Sequence, residues 1–183
     1  TGWWRGVGPT HNIFVVESFI DELAAATKKD PVDFRRSLLA SQPRVLGVLN
    51  LAAEMAGWGT SLPDGVGRGV SVQFAMGSYL SQVAEVEVSK AGEVKVRRVV
   101  CAVDCGQIVN PDTIVAQMEG GIIFGISAAL WGEITLKGGR VEQHRADGRV
   151  EGRGLLNCPR LDDALLHQPA QARRIAVISQ PAG

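Results

Sequence analysis

VVCAVDCGQIVNPDTIVAQMEGGIIFGISAAL, residues Val99 to Leu130, decides how the chain folds. Val99 to Val103 is an unbroken apolar run of strand length, and Cys105-Gly106 turns the chain. Asn110-Pro111 then opens a helix, since Asn caps free N–H groups and Pro fits the first helical position. That helix carries Gly120, Gly121 and Gly125 in its interior, where each glycine costs about 0.5–1 kcal/mol relative to alanine. Two uses fit the spacing. Another element could pack closely against the bare backbone, or an extended ligand could lie along it. In the second case Gln117, one turn earlier, supplies a directional polar contact and the helix start lies near an anion.

Working outward, the residues before this stretch alternate. Val70 to Phe74 and Val83 to Val88 read as strands, and Ala91-Gly92 turns the chain into Val94 to Val100, a hairpin with one wet face. Earlier still, three helices are predicted. Asn12 caps Ile13 to about Thr27, with Val16, Phe19, Ile20 and Leu23 as its buried stripe and Glu17, Asp21 and Glu22 facing water. Asp30-Pro31 starts a second helix, to about Ala40, and Pro43 to Ala56 forms a third, ended by Gly57-Trp58-Gly59. Beyond the glycine helix, Ile134–Leu136 and Arg140–Glu142 pair around Lys137-Gly138-Gly139. The expected class is α+β, a mostly antiparallel sheet with packed helices.

Composition excludes several functions. At 183 residues, 45% hydrophobic and with zero formal net charge, the chain is neither disordered nor a polyelectrolyte, so no nucleic-acid partner is expected. No run approaches the apolar length of a membrane span, so no transmembrane segment is expected, and Thr1 to Arg5 is not a signal peptide. The chain begins without Met, which predicts a missing start and leaves cytoplasm and periplasm both open. Cys101, Cys105 and Cys158 are too few and scattered for a disulfide framework, and C-x-x-x-C alone fits neither zinc nor an iron–sulfur cluster. Cys101 and Cys105 read as small core side chains. His11, His144 and His167 are isolated, so no metal ligand is assigned.

Three motifs occur in order and carry a resemblance. D-C-G-x-x-x-N-P-x-x-x-x-x-Q-x-E-G-G, from Asp104 to Gly121, resembles the cofactor segment of the molybdopterin-binding large subunit of the xanthine dehydrogenase and aldehyde oxidase family. W-R-G-V-G-P, from Trp4 to Pro9, is similar to that family's loop beside the molybdenum. V-E-S-F-I-D-E-L-A, from Val16 to Ala24, with D-P-V-D-F-R-R-S-L-L behind it, resembles the helical pair that follows. The compact G-S-Y-L-S-Q-V-A-E-V-E-V looks like the isoquinoline 1-oxidoreductase type.

The resemblance covers about residues 1 to 143, which it marks as part of a molybdopterin-binding domain. It implies oxidative hydroxylation of an aromatic N-heterocycle or an aldehyde, with water as oxygen source. It further implies a molybdopterin dinucleotide of the cytosine type carrying molybdenum, and a partner, a small subunit with iron–sulfur clusters. Gln117 and the backbone of Glu119, Gly120 and Gly121 would hold the phosphate side of the pterin, beyond Asn110. Arg5, with Gly6 and Gly8 behind it, would reach the metal centre, although an arginine beside two glycines is also an ordinary exposed turn. The family's general base sits in a Gly-x-Gly-Glu-x-x-x-x-Pro loop beyond Gln143, and no such loop occurs here. Glu151 has the wrong flanks and comes too early, which leaves a non-catalytic domain of the same fold as the alternative.

Residues 144–183 change character. They hold six Arg but no Lys, Phe, Trp or Tyr. A frameshifted or divergent tail is expected there, poorly packed and apart from the body.

Overall fold

The computed structural model describes residues 4–142 and 173–178. Cys158, His144, His167, Glu151 and most of the expected tail lie outside them. The elements run α1 (Val7–Ala26), α2 (Pro31–Leu38), α3 (Pro43–Ala56), β1 (Val66–Ala75), β2 (Ser78–Val88), β3 (Val94–Asp104), α4 (Pro111–Trp131), β4 (Leu136–Lys137), β5 (Arg140–Val141) and β6 (Arg173–Ile178). They divide into one unit of residues 4–111 with 173–178 and another of residues 112–142. The class is α+β, with a mostly antiparallel sheet, as the sequence predicts.

In the first unit, β1, β2, β3 and β6 form one sheet in that order. The β1–β2 hairpin turns in two residues, Met76 and Gly77, both with positive φ (49° and 81°), the pairing that matches strand twist in a tight hairpin. Val70 faces Val83 and Val83 faces Val100 across the ladder. This row, with Ala102, packs against Val48, Leu49, Ala52, Ala53 and Ala56 of α3 and Val32 of α2 to make the core. Gly57 (φ 66°) ends α3 with paired bonds, Gly57 N–H to Glu54 O at 2.9 Å and Trp58 N–H to Ala53 O at 2.9 Å. Asp30 caps α2 by accepting from Val32 N–H (2.8 Å) and Asp33 N–H (3.1 Å).

Three expectations need correction. First, α1 starts at Val7, not Ile13, because Gly6 takes the left-handed conformation at its entrance and leaves Asn12 inside the helix. Second, α1 is turned the other way. Ile13, Glu17, Ile20, Asp21 and Ala24 face inward, while Phe14 (72% exposed), Val16, Phe19 and Leu23 face out. The reason is Arg35, whose side chain is 1% exposed. Its Nε donates to Glu17 Oε2 at 3.0 Å, its Nη1 to Asp21 Oδ1 at 2.6 Å, and its Nη2 to the Glu17 carbonyl at 3.1 Å. Glu17 Oε2 also accepts from Val72 N–H of β1 at 2.8 Å. A buried guanidinium demands partners, and that demand outweighs the burial of the apolar stripe.

Third, residues 173–178 of the expected tail do join the body, as β6, parallel to β3 from Val99↔Arg173 to Asp104↔Ile178. Ile175, Val177 and Ile178 are β-branched, and this apolar run has an open strand edge to fill. Flanked on both edges, β3 is buried continuously from Val99 to Asp104. Among the described residues, α4 is the one helix long and apolar enough to cross a membrane, by length and composition only, since Glu119 is its sole charge after Asp112.

Charge ties the sheet to the end of α3. Glu85 accepts from Arg68 Nε at 2.7 Å and Arg98 Nη2 at 2.6 Å. Those arginines also donate to the terminal carbonyls of α3, Arg68 to Gly57 O and Arg98 to Ala56 O, each at 2.6 Å. Burial pushes the Glu85 carboxyl up, but the bonds and charges of Arg98 and Arg68 outweigh it and hold the group below its ordinary 4.5. The second unit contains α4 and the β4–β5 hairpin, which turns through Gly138 and Gly139.

Two measurements check these assignments. Glu17→Ala strands Arg35 without its buried partner and should lower stability to urea by about 3–5 kcal/mol; a loss below about 1 kcal/mol would demote the pair. A carboxyl held lower in the folded than in the unfolded chain stabilises above its unfolded value, and that contribution fades as pH falls through the folded one. Stability should therefore decline as pH drops below 4.5, and Glu85→Gln should flatten the slope.

Candidate functional site

The W-R-G-V motif forms a hydrogen-bonded turn. Val7 N–H donates to Trp4 O at 2.9 Å, and Gly6 sits at φ 87°, ψ −10°, where a type II turn needs glycine. Thr10 Oγ1 donates to the Arg5 carbonyl at 2.8 Å, and a Cβ on Gly6 would overlap that hydroxyl. Gly6 is thus required by the backbone itself. Gly8 differs, because an added Cβ would meet only Asn12 Nδ2, at 3.8 Å. Arg5 is exposed at the corner of the turn. Val7 follows with φ 51°, a costly conformation for a β-branched residue.

The D-C-G segment leaves the sheet at Asp104, whose side chain is 1% exposed. Its carboxylate accepts from Arg44 twice, Nε to Oδ2 at 3.0 Å and Nη2 to Oδ1 at 2.6 Å, and from Gly106 N–H at 3.0 Å. Gly106 has φ 81°. The Arg44 guanidinium lies 4.6 Å above the Tyr79 ring, which in turn stands 4.6 Å from Phe74. Sequence reasoning missed Arg44 and Tyr79. The available signal was an arginine in the first turn of a helix, where the dipole disfavours a cation. Asn110 ends this segment, exposed, just before Pro111.

In the second unit, Gln117, Gly120, Gly121, Phe124 and Gly125 follow helical i, i+3, i+4, i+7, i+8 spacing and so share one face of α4. Glu119, two positions after Gln117, lies about 200° round the helix on another face. Gln117 is exposed, Gly120 and Gly121 are half-buried, and a Cβ added at Gly125 would meet nothing within 4 Å. This face carries three glycines with the Gln117 amide and the Phe124 ring, and the backbone is open at Gly125. The sequence-predicted residues thus fall into two sets: Arg5, Gly6, Gly8 and Asn110 in the first unit, and Gln117, Glu119, Gly120 and Gly121 in the second.

Cys101 is no nucleophile. Burial pushes its thiol up to about 12, against a smaller opposing effect from Gln82.

The two glycines of the N-terminal turn should separate on substitution. Gly6→Ala meets both positive φ and the Thr10 hydroxyl, and should cost more than about 1 kcal/mol in urea unfolding. Gly8→Ala, in a helical position with room, should leave stability unchanged or raise it by up to about 1 kcal/mol. Equal losses in both variants would refute the distinction.

Comparison with known proteins identifies the family. The beta chain of the isoquinoline 1-oxidoreductase of Brevundimonas diminuta is 37% identical over 146 residues, covering 78% of this chain and 19% of that protein. A nicotinate dehydrogenase subunit from Pseudomonas putida is 34% identical over 153 residues, covering 74% of this chain and 13% of that protein. A membrane-bound aldehyde dehydrogenase (pyrroloquinoline-quinone) of Gluconacetobacter polyoxogenes is 36% identical over 150 residues, 71% of this chain and 19% of that protein. The match spans no more than 19% of the length of each of these relatives. Residues 38–148 match the molybdopterin cofactor-binding domain, and the chain belongs to that family.

Proposed function

We propose that this chain forms part of the cofactor cleft in the large subunit of a molybdenum hydroxylase. The observation that carries the reading is the set of three glycines that share a face of α4 with Gln117, inside the stretch that matches the cofactor-binding family. The group it would hold is a molybdopterin dinucleotide, of the cytosine type, with molybdenum, and a small iron–sulfur subunit would take the electrons. When bound, that group supplies two-electron oxidation of an electron-poor carbon in an isoquinoline-like N-heterocycle or an aldehyde, with water as oxygen source. The names of the relatives support this range of substrates.

The chain's own residues position and hold. Gln117 would donate its amide N–H groups to an anionic phosphate oxygen, and Gly120 and Gly121 would let that group approach the helix backbone. Asn110 would orient the start of α4, and the backbone of Glu119 would border the phosphate side. Arg5, presented at the corner of a turn fixed by Gly6, would place its guanidinium against a developing negative oxygen, with Gly8 leaving space behind it. Residues 1–143 would form the partial molybdopterin-binding domain. Residues 144–183 would be a divergent or frameshifted tail that contributes β6 from beyond the end of the family match.

A second reading, a binding domain without chemistry, draws on the missing Gly-x-Gly-Glu loop. On either reading the isolated chain is inactive, because general-base catalysis and the electron path would come from outside it.

Retention of cofactor tests the cleft. In chain purified from cells that make the cofactor, Gly121→Val should abolish bound pterin and molybdenum, because a branched side chain fills the ligand's space. Gln117→Ala should only weaken retention, by about 1.5–3 kcal/mol for a hydrogen bond to a charged group. Full molybdenum in Gly121→Val would remove the reason for the bare face.

A further inference from the structure

We infer that Arg44 is a positioning residue: through Asp104 it fixes the Cys105–Asn110 loop in the shape that presents Asn110 to the cofactor. The cofactor half of this rests on the reading proposed above. The loop half stands on geometry alone.

Helix α3 gives no reason of its own for Arg44. The residue sits directly after Pro43 in the first turn, which carries no acidic side chain, and the positive end of the helix dipole repels it. Its guanidinium instead reaches from the helix to the far end of β3 and grips Asp104 with two nitrogens on two oxygens, at 3.0 and 2.6 Å. Such a fork sets direction as well as distance. The Tyr79 ring beneath it, 4.6 Å away, holds the guanidinium plane, and Tyr79 is also the cross-strand partner of Asp104.

Asp104 converts that grip into loop shape. Its Oδ1, already bonded to Arg44, accepts from Gly106 N–H at 3.0 Å, and Gly106 turns the chain at φ 81°. One carboxylate thus joins the start of α3, the end of the sheet and the first bend of the segment that leads to Asn110. A carboxylate this deeply buried is costly without its cation, so the arrangement is close to all-or-none.

Hydrogen exchange on the full chain tests the loop. Arg44→Met should speed exchange across residues 105–110 by about tenfold or more, while Val48 to Ala56 of α3 stay protected. Arg44→Lys, which keeps the charge and loses the fork, should restore only part of the protection. The double variant Arg44→Met with Asp104→Asn leaves no unpaired buried charge, and should keep the core protected while the loop stays faster than in the parent. Unchanged loop exchange in both Arg44→Met and the double variant would overturn the inference. A second arm measures molybdenum in the same chains from cofactor-making cells, where Arg44→Met should hold about tenfold less than the parent and Arg44→Lys an intermediate amount. A fast loop with full molybdenum would overturn the positioning role. A parent chain that carries none would refute the cofactor reading, leaving the exchange result to decide the loop half.

Discussion

The Glu17 carboxylate meets Arg35 of α2 and Val72 N–H of β1 at the same oxygen, and the arrangement of the first unit depends on that meeting. Arg35 is fully buried, so it cannot trade its partners for water. Its demand brings α1 down on its polar side, and α1 in turn covers part of β1, an edge strand whose outward N–H groups need acceptors. The core under α3 is apolar and would tolerate several packings. The ion pair selects one.

This is also why the sequence misleads on α1. Val16, Phe19, Ile20 and Leu23 recur at helical spacing, and periodicity reports correctly that an apolar face exists. It does not report which neighbour that face has. Arg35 and Glu17 are eighteen residues apart on different helices, and local spacing carries no trace of their pairing. The elements themselves were far more legible: Pro43 and Gly57 bound α3 as expected, Asp30-Pro31 starts α2, and Ala91-Gly92 turns one hairpin. β6 was hidden by its setting, because the apolar run Ile175 to Ile178 carries no local sign of its partner strand, about seventy residues earlier.

The candidate site was legible as motif and illegible as geometry. Asn110-Pro111 stands out as a helix start, and the glycines of α4 stand out because they break helix rules at a cost, and costs of that kind point to a use. Asp104 could be read as the first letter of a motif, with no sign of what it holds. Its cation lies sixty residues earlier in the chain, on a helix whose own pattern is complete without it. Gly6 and Gly8 show the same limit, since one is demanded by turn geometry and the other is not, although the sequence writes both alike.

The parallel pairing of β3 with β6 imposes an order on synthesis. The ladders β1–β2 and β2–β3 join neighbours in the chain and can close as soon as they leave the ribosome. The last strand arrives about seventy residues after β3, so its loop-closure entropy is larger and its pairing slower. Until then the edge of β3, apolar and with its N–H and C=O groups unpaired, stands open to strands from other nascent chains. A chaperone that shields extended apolar segments would act on this protein in that interval, between the emergence of Asp104 and that of Arg173.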